Sequence, residues 1–214
     1  MEKQKVADLI RAERFIPVVR VATTQEALDV ADALKAGGAR IIEVTFTVQG
    51  ALEVIRELRQ KFGDEIVLGA GTVLDAESAH DALLAGAEFL VSPALDMDVV
   101  RFAKESNRVV IPGAMTPTEI LNAWRAGADM VKVFPAGRLG GPEYIKSVRG
   151  PFPDIPLVPT GGVDLKSAAL YIKAGAAALG IGGELVDKKA VAEKNFDRIS
   201  KSTKAFIKAI REAK

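Results

Sequence analysis

The chain has 214 residues, of which 49% are hydrophobic and 27% are charged, a composition that fits one globular domain with a substantial core. Its 29 basic and 28 acidic residues leave a net charge of +1, so we expect no nucleic-acid or membrane partner. There is no cysteine, and the single histidine, His80, lies in a helical pattern, which argues against disulfides and against a zinc-dependent mechanism. Because we find neither a signal-peptide core nor a membrane-length apolar run, we expect a cytoplasmic protein.

Short apolar runs alternate with helical patterns along the chain. The predicted strands are Phe15–Arg20, Arg40–Thr45, Ile66–Gly71, Phe89–Ser92, Val109–Pro112, Met130–Phe134, Leu157–Thr160 and Ala178–Ile181. Seven helical segments separate them, a helix precedes the first strand, and an amphipathic helix follows the last. Alternation of this kind predicts parallel strands. Eight such units predict an α/β fold, a (β/α)₈ TIM barrel, as a single domain over residues 1–214.

A repeated Ala-Gly motif supports this interpretation. It closes alternate predicted helices at Ala36, Ala85, Ala126 and Ala174, at intervals of about 40 to 50 residues. Glycine commonly ends helices in a left-handed conformation, which is enough to explain each motif by itself. The regular placement every two units favours a barrel over an open sheet.

Lys132 is an anomaly, because it interrupts the apolar run of the sixth predicted strand. An unpaired charge in an apolar interior is costly, and proteins often respond by lowering the pKa of the amine until it is neutral. A neutral amine is a nucleophile that forms a Schiff base with a carbonyl. The alternative is a lysine that reaches solvent at a strand end.

Glu43 is a second charge in an apolar strand. By alternation it shares a face with Ile41 and Thr45, as Lys132 does with Met130 and Phe134. One possibility is a buried Glu43–Lys132 ion pair with no further role. The pair also matches imine chemistry, in which one carboxyl group can serve as both general acid and general base.

Further polar and glycine residues follow other predicted strands. Arg20 offers a planar donor fork suited to a carboxylate, and Thr72, next to Gly71, offers a hydroxyl and an N–H group. Glycine-rich turns follow the seventh and eighth strands at 160–162 and 182–183. In barrels these two loops commonly bind phosphate, although tight turns alone also favour glycine.

Taken in order, these motifs resemble a known family. They are Glu43-Val44-Thr45, Gly69-Ala70-Gly71-Thr72-Val73, Val91-Ser92-Pro93, Pro112-Gly113, Lys132-Val133-Phe134-Pro135-Ala136, Gly150-Pro151-Phe152 and Pro159-Thr160-Gly161-Gly162-Val163. From about residue 10 to 187 the chain is similar to the 2-keto-3-deoxy-6-phosphogluconate (KDPG) / 4-hydroxy-2-oxoglutarate (KHG) aldolases. The resemblance implies a homotrimeric lyase that needs no metal or other cofactor and forms an imine with pyruvate. Such an enzyme cleaves KDPG to pyruvate and glyceraldehyde 3-phosphate, and KHG to pyruvate and glyoxylate.

The resemblance also implies residue roles. Lys132 is the imine lysine and Glu43 the general acid and base. The substrate-binding set is Arg20 and Thr72 at the pyruvate carboxylate, Gly71 beside them, Phe134 and Pro93 shaping the pocket, and Thr160, Gly161, Gly162, Gly183 and Glu184 at the phosphate end.

Two positions depart from the family pattern. Thr47 stands where some members carry an arginine, and Glu184 follows Gly-Gly where many members have a serine that donates to phosphate. A carboxylate repels a nearby phosphate, so Glu184 predicts weak phosphate selectivity unless it points away.

Three alternatives remain open from the sequence. The first is an aldolase for an unphosphorylated or different 2-keto-3-deoxy acid. The second is a sugar-phosphate isomerase or epimerase, which shares the glycine turns but needs no lysine–glutamate pair. The third is a non-catalytic assembly subunit on the same scaffold.

Overall fold

The computed structural model describes residues 1–213 as parallel strands that alternate with helices. The strands are β1 Phe15–Val19, β2 Ile41–Thr45, β3 Val67–Gly71, β4 Phe89–Val91, β5 Val109–Ile111, β6 Gly113–Ala114, β7 Val131–Val133, β8 Leu157–Pro159 and β9 Leu179–Ile181. The helices are α1 Lys3–Glu13, α2 Thr24–Ala36, α3 Ala51–Phe62, α4 Ala76–Ala85, α5 Met97–Glu105, α6 Pro117–Ala126, α7 Gly141–Arg149, α8 Leu165–Lys173, α9 Lys188–Ala192 and α10 Phe196–Glu212. Short 3₁₀ segments lie at Gly63–Glu65 and Ala136–Leu139.

All strand pairs are parallel, which confirms the predicted α/β class. Six strands form one sheet in the order β5-β4-β3-β2-β1-β9, and three form a second in the order β6-β7-β8. The predicted strand Val109–Pro112 ends one residue early, because Pro112 has no N–H to donate and separates β5 from β6. A single parallel bridge, between Thr160 and Gly180, links the end of β8 to β9.

Local sequence explains why the helices start where they do. Thr23 and Glu26 form a capping box at α2, and Thr116 and Glu119 form another at α6, where Pro117 takes the first helical position. Each box satisfies N–H groups that lack partners inside the helix. The two capping boxes therefore fix where α2 and α6 begin, and each helix returns the chain from the end of one strand toward the start of the next.

The apolar core has two parts, separated by the strands. The larger cluster lies between strands and helices and includes Ile42 and Val44 of β2. The smaller one, the inner cluster, draws residues from or beside both sheets and from α1. Its members are Val6, Ala7, Ile10, Ile16, Ile41, Val67, Phe89, Val91, Val109, Ile111, Met130, Val158 and Ala178. The parallel sheets therefore curl around a shared interior, with α1 packed into it.

Several details differ from the sequence prediction. Strands end one residue earlier at Arg20, Ser92, Phe134 and Thr160, so these side chains lie just beyond the ladder. The short helix α9 was not predicted, because it spans little more than one turn and gives a weak periodic signal. Within residues 1–213, no helix combines the length and the apolar character that crossing a bilayer requires.

Candidate active site

Lys132 lies at the centre of β7, with its Cα paired to Gly113 on one side and Val158 on the other. Only 4% of its surface is exposed, so the alternative of a lysine that reaches solvent is wrong. Burial lowers the pKa of Lys132 below its ordinary 10.5; Arg20 lowers it further, and Glu43 partly opposes both. The amine therefore loses its proton at a lower pH than a free lysine and becomes nucleophilic.

Glu43 lies at the centre of β2, where its Cα is paired with Val18 and Gly69. It is 2% exposed, and its Oε1 accepts no hydrogen bond from any described residue, Lys132 included. Burial raises the pKa of Glu43 above its ordinary 4.5, while Lys132 and Arg20 pull it back down. A carboxyl group held in this way keeps its proton to a higher pH than a free glutamate does, which suits a group that both donates and accepts a proton.

Lys132 and Glu43 influence each other without the hydrogen bond that a simple buried ion pair would show at Oε1. Each shifts the pKa of the other, so the two side chains share one electrostatic environment in the interior. An ion pair retained only for structure would be expected to satisfy its buried oxygens. The Oε1 of Glu43 instead has no hydrogen-bond partner among the described residues, which leaves it able to bind a group from a ligand.

Gly71 makes room for the Glu43 carboxylate. A Cβ built on Gly71 would lie 2.0 Å from Oε1 of Glu43, closer than any side chain tolerates. Thr72, the next residue, has φ 59°. This left-handed conformation is unusual for a β-branched residue and costs on the order of 1–3 kcal/mol. Gly71 thus leaves room for the carboxylate, and the next residue, Thr72, holds an unusual backbone conformation.

A pocket of about 130 Å³ opens beside these buried groups, at the carboxyl ends of β1, β8 and β9. Its lining includes the predicted site residues Arg20, Phe134, Thr160, Gly161, Gly162, Gly183 and Glu184, together with Val18, Val163, Gly180 and Gly182. Among these lining residues, Arg20 carries the one positive charge and Glu184 the one negative charge. Both side chains are exposed.

Five predicted site residues lie outside the lining of this pocket: Lys132, Glu43, Gly71, Thr72 and Pro93. Phe134 connects Lys132 to the pocket, because its ring lines the pocket and its centroid lies 5.4 Å from the Lys132 Nζ. The Lys132 amine therefore lies against the Phe134 ring that lines the pocket.

Pro93 follows β4 and contacts the next loop through its backbone. A Cβ on Gly113 would lie 2.1 Å from the carbonyl oxygen of Pro93, so these two turns are in close contact. The neighbouring Ser92 is 1% exposed and donates its hydroxyl to the carbonyl of Val73 at 2.7 Å. The backbone of Pro93 is thus packed closely against the turn at Gly113.

Two further residues, Ser92 and Thr45, tie strand ends together at the site and were not predicted as site residues. Ser92 ties the loops after β3 and β4 together, and Thr45 donates to the carbonyl of Val19 at 3.2 Å, which ties the ends of β1 and β2. Thr45 also lies 2.6 Å from the hydroxyl of Thr47, the position where some family members carry an arginine. The sequence signal for Ser92 and Thr45 was a polar residue at the end of an apolar strand. Because hydroxyl groups are common at strand ends, this signal did not distinguish them.

The α/β fold and the buried Lys132–Glu43 pair are compatible with a lyase of the aldolase type, and comparison with known proteins shows this class. A model of the family described as KDPG and KHG aldolase matches residues 6–202, and the chain belongs to this family.

Individual relatives agree with the family match. The chain is 39% identical over 168 residues to a 2-dehydro-3-deoxy-phosphogluconate aldolase of Pseudomonas aeruginosa, covering 78% of this chain and 76% of that protein. It is 32% identical to the KHG/KDPG aldolase of Escherichia coli K12, over 96% of each chain. A crystal structure of the KDPG aldolase from Legionella pneumophila, with pyruvate captured as a covalent carbinolamine intermediate, superposes with a TM-score of 0.84 at 30% identity. That match covers 93% of this chain and 96% of the other.

Proposed function

We propose that this protein is a class I aldolase that cleaves KDPG to pyruvate and glyceraldehyde 3-phosphate, or KHG to pyruvate and glyoxylate, through an imine on Lys132. The observation that carries the proposal is the buried Lys132 amine, with its lowered pKa, sharing an interior with an unsatisfied Glu43 carboxyl group. The activities named for the relatives and the carbinolamine of the Legionella enzyme support it.

In the first step the neutral amine of Lys132 attacks the C2 carbonyl of the 2-keto acid. The nitrogen–carbon bond forms, the carbonyl oxygen becomes a hydroxyl, and a carbinolamine results. Glu43, in the protonated form that burial favours, gives its proton to this hydroxyl. Water leaves, and a protonated imine remains on Lys132.

In the second step the C4 hydroxyl loses its proton to the Glu43 carboxylate, and the C3–C4 bond breaks. The aldehyde leaves, and the bonding electrons move into the protonated imine to give an enamine. Glu43 then returns its proton to C3, and hydrolysis of the imine releases pyruvate. Because the imine accepts the electron pair, the reaction needs no metal or other cofactor.

The substrate contacts in this proposal follow the residue roles that the family resemblance implies. Arg20 lines the pocket and offers a planar fork, and Thr72 lies outside the lining and offers a hydroxyl and an N–H group. Together they hold the pyruvate carboxylate. Phe134 packs beside the imine. The glycine turns around Gly161 and Gly183 receive the other end of the substrate.

Borohydride reduction in the presence of pyruvate tests this proposal. Reduction of an imine leaves a permanent adduct, and we expect it on the peptide that contains Lys132 and not in a Lys132→Ala variant. An isomerase or epimerase would leave no adduct. A retro-aldol assay, with pyruvate release coupled to lactate dehydrogenase, separates the enzyme from a non-catalytic assembly subunit.

Glu184 favours a second candidate, an aldolase that accepts unphosphorylated 2-keto-3-deoxy acids well. Its side chain lines the same pocket as Gly161, Gly162 and Gly183, where a dianionic phosphate would meet a like charge. We expect kcat/KM for phosphorylated and unphosphorylated substrates to differ little in the wild type, and Glu184→Ser to raise the preference for phosphate. A strong phosphate preference in the wild type would contradict this candidate.

The proposal also covers the closure of the barrel, the domain organisation, the assembly and the location of the protein. The two curled sheets and the Thr160–Gly180 bridge support a closed (β/α)₈ barrel that forms one domain over residues 1–214, with α1 and α10 as terminal additions. Membership of the family supports a homotrimer that acts in the cytoplasm without a nucleic-acid or membrane partner. Sedimentation velocity on the purified protein tests the trimer.

A further inference from the structure

Arg20 follows a part of β1 that the sheet holds on one side only. The pairing of β1 with β9 ends at Pro17, whereas its pairing with β2 continues to Val19. Arg20 is the first residue beyond β1, and its side chain is exposed. The direction in which this side chain leaves the strand therefore depends on what holds the peptide group between Val19 and Arg20 from the β2 side.

The hydroxyl of Thr45 makes this contact. Thr45 is fully buried, and its Oγ1 donates to the Val19 carbonyl at 3.2 Å. That carbonyl oxygen and the N–H group of Arg20 belong to one planar peptide group, so a bond to the oxygen fixes the orientation of the whole plane. Thr45 itself is anchored on its other side, because its Cα is paired with Gly71 of β3. The bond therefore ties the start of the β1–α2 loop to the interior of the six-stranded sheet.

Thr47 completes a chain of two hydroxyl groups. Its Oγ1 lies 2.6 Å from the Oγ1 of Thr45. A hydroxyl has one proton to donate, and Thr45 gives its proton to the Val19 carbonyl, so Thr47 is the donor to Thr45. Hydrogen bonds in such a chain polarise one another and become stronger. Thr47 therefore strengthens the bond that Thr45 makes to β1.

The placement of Arg20 matters for the reactive groups as well as for the pocket that it lines. Burial is the main reason that the pKa of Lys132 is lowered and the pKa of Glu43 is raised, and the charge of Arg20 lowers both. The guanidinium therefore lies close enough to act on the two groups by its charge. A guanidinium binds a carboxylate through two parallel hydrogen bonds, whose geometry tolerates little displacement. A small change in the direction of Arg20 is then enough to weaken carboxylate binding.

We propose that Thr45 and Thr47 are positioning residues for the 2-keto acid, because their paired hydroxyls hold the Val19 carbonyl and thereby fix the direction from which Arg20 reaches the substrate carboxylate. This inference rests on the aldolase function proposed above. Both hydroxyls act through Arg20, and their loss weakens the binding of a carboxylate without removing the Lys132 amine.

Imine trapping with borohydride tests the positioning role, with pyruvate and its uncharged amide, pyruvamide, as the two probes. Both offer the ketone that Lys132 attacks, but only pyruvate carries a carboxylate. We expect Thr45→Val to raise the pyruvate concentration for half-maximal trapping roughly three- to tenfold, the range that corresponds to one net hydrogen bond, and to leave the pyruvamide value within about twofold. Thr45→Ser keeps the hydroxyl and should bring the pyruvate value back to within about twofold of wild type.

Thr203→Val is the matched control. Thr203 is also fully buried, and its hydroxyl donates to the carbonyl of Ile199 at 2.8 Å within α10. The control loses the same kind of bond outside the site, so we expect the values for both probes to stay within about twofold of wild type. An equal rise for both probes in Thr45→Val, an unchanged pyruvate value in that variant, or a selective rise in the control would overturn the positioning role.

A double-mutant cycle shows whether Thr45 acts through Arg20. If it does, adding Thr45→Val to Arg20→Gln should raise the half-maximal pyruvate concentration no further than Arg20→Gln alone. Independent effects that multiply in the double variant reject the inference. An Arg20→Gln variant that binds pyruvate as well as the wild type does rejects it too.

Thr47→Val keeps the test decisive if Thr45→Val fails to fold, because Thr47 is exposed and its replacement leaves the core intact. We expect a rise of about threefold for pyruvate only, and an unchanged value overturns the paired role of the two hydroxyls. A wild type that gives no adduct with either probe rejects the aldolase mechanism instead, whereas an adduct without these shifts rejects the positioning role alone.

Discussion

Two buried glutamates of the same sheet, Glu43 in β2 and Glu88 just before β4, are treated in opposite ways by the fold. Glu88 is 4% exposed, and its two oxygens are bonded to Arg59 and to the Met1 amine. Burial opposes ionisation of Glu88, but the hydrogen bonds from the Met1 amine and Arg59 outweigh it and lower its pKa below 4.5. Glu43 is 2% exposed with an unsatisfied Oε1, and burial raises its pKa.

This contrast separates a structural acid from a reactive one. A buried carboxylate that only supports the fold is expected to have its partners supplied by the protein. The partner that Glu43 lacks is the one that a substrate can supply. Burial alone therefore does not mark a catalytic acid, whereas burial together with an unsatisfied oxygen and a neighbouring amine supports the role proposed for Glu43.

Replacing Lys132 has the largest expected effect, because it removes the group on which Glu43 acts. We expect Lys132→Ala to abolish pyruvate release. Lys132→Arg should do the same, since a guanidinium stays protonated and cannot attack a carbonyl. Circular dichroism checks that both variants fold, and residual turnover above background in either one would refute the imine.

Glu43→Gln should lower kcat by roughly 10²–10⁴-fold, the usual share of general acid–base catalysis. It should also stabilise the protein by about 0.5–2 kcal/mol at neutral pH. Since the folded pKa of Glu43 is raised, its cost to stability is absent below the unfolded value of 4.5 and grows as pH rises through the folded pKa. Denaturant unfolding at several pH values measures this gain, and near-normal activity would move the proton-transfer role to another group.

Gly71→Ala should lower kcat by about 100-fold, because the new Cβ displaces the Glu43 carboxylate from a position 2.0 Å away. Gly69→Ala is the matched control, since its Cβ would lie 2.2 Å from the Phe89 ring and disturb packing instead of the acid. We expect the control to lose stability but to keep more activity per folded molecule. Equal activity losses in the two variants would show that Gly71 has no special relation to Glu43.

Glu88→Gln has the smallest expected effect on activity, with kcat within about twofold of wild type, because both oxygens of Glu88 are already bonded to Arg59 and the Met1 amine. Stability should fall by about 1–3 kcal/mol, since Arg59 loses a buried charged partner. The stability that Glu88 provides is present above the unfolded pKa and is lost as pH falls through the lowered folded pKa, so the deficit of Glu88→Gln should shrink in acid. Opposite pH trends in the two Glu→Gln variants would confirm the contrast.

Much of the fold could be predicted from the sequence because its strands are apolar and its loops carry strong signals. The alternation of short apolar runs with helical patterns placed every core strand to within one or two residues, with Pro112 as the exception that divides one of them. The importance of Lys132 and Glu43 could be inferred because each places a charge where periodicity demands an apolar side chain.

Other parts of the site could not be predicted, because they depend on contacts between distant segments. The partners of Glu88 lie on α3 and at Met1, and nothing in its local sequence distinguishes it from a solvated acid at a helix end. The clearance that Gly71 gives to Glu43 depends on the register of β2 against β3. A cavity of about 400 Å³ between the β1–α2 loop and α9 likewise depends on a helix that was not predicted.

Helix α1 limits the route by which molecules enter and leave the interior, and the proposed imine sets the order of their release. Val6, Ala7 and Ile10 occupy the amino-terminal end of the interior, so substrate and products travel through the opposite end. In the proposed mechanism, the pyruvate fragment is still tied to Lys132 when the C3–C4 bond breaks, whereas the aldehyde is free to diffuse away. Release is then sequential, aldehyde before pyruvate, and product inhibition should show pyruvate competing directly with the incoming keto acid.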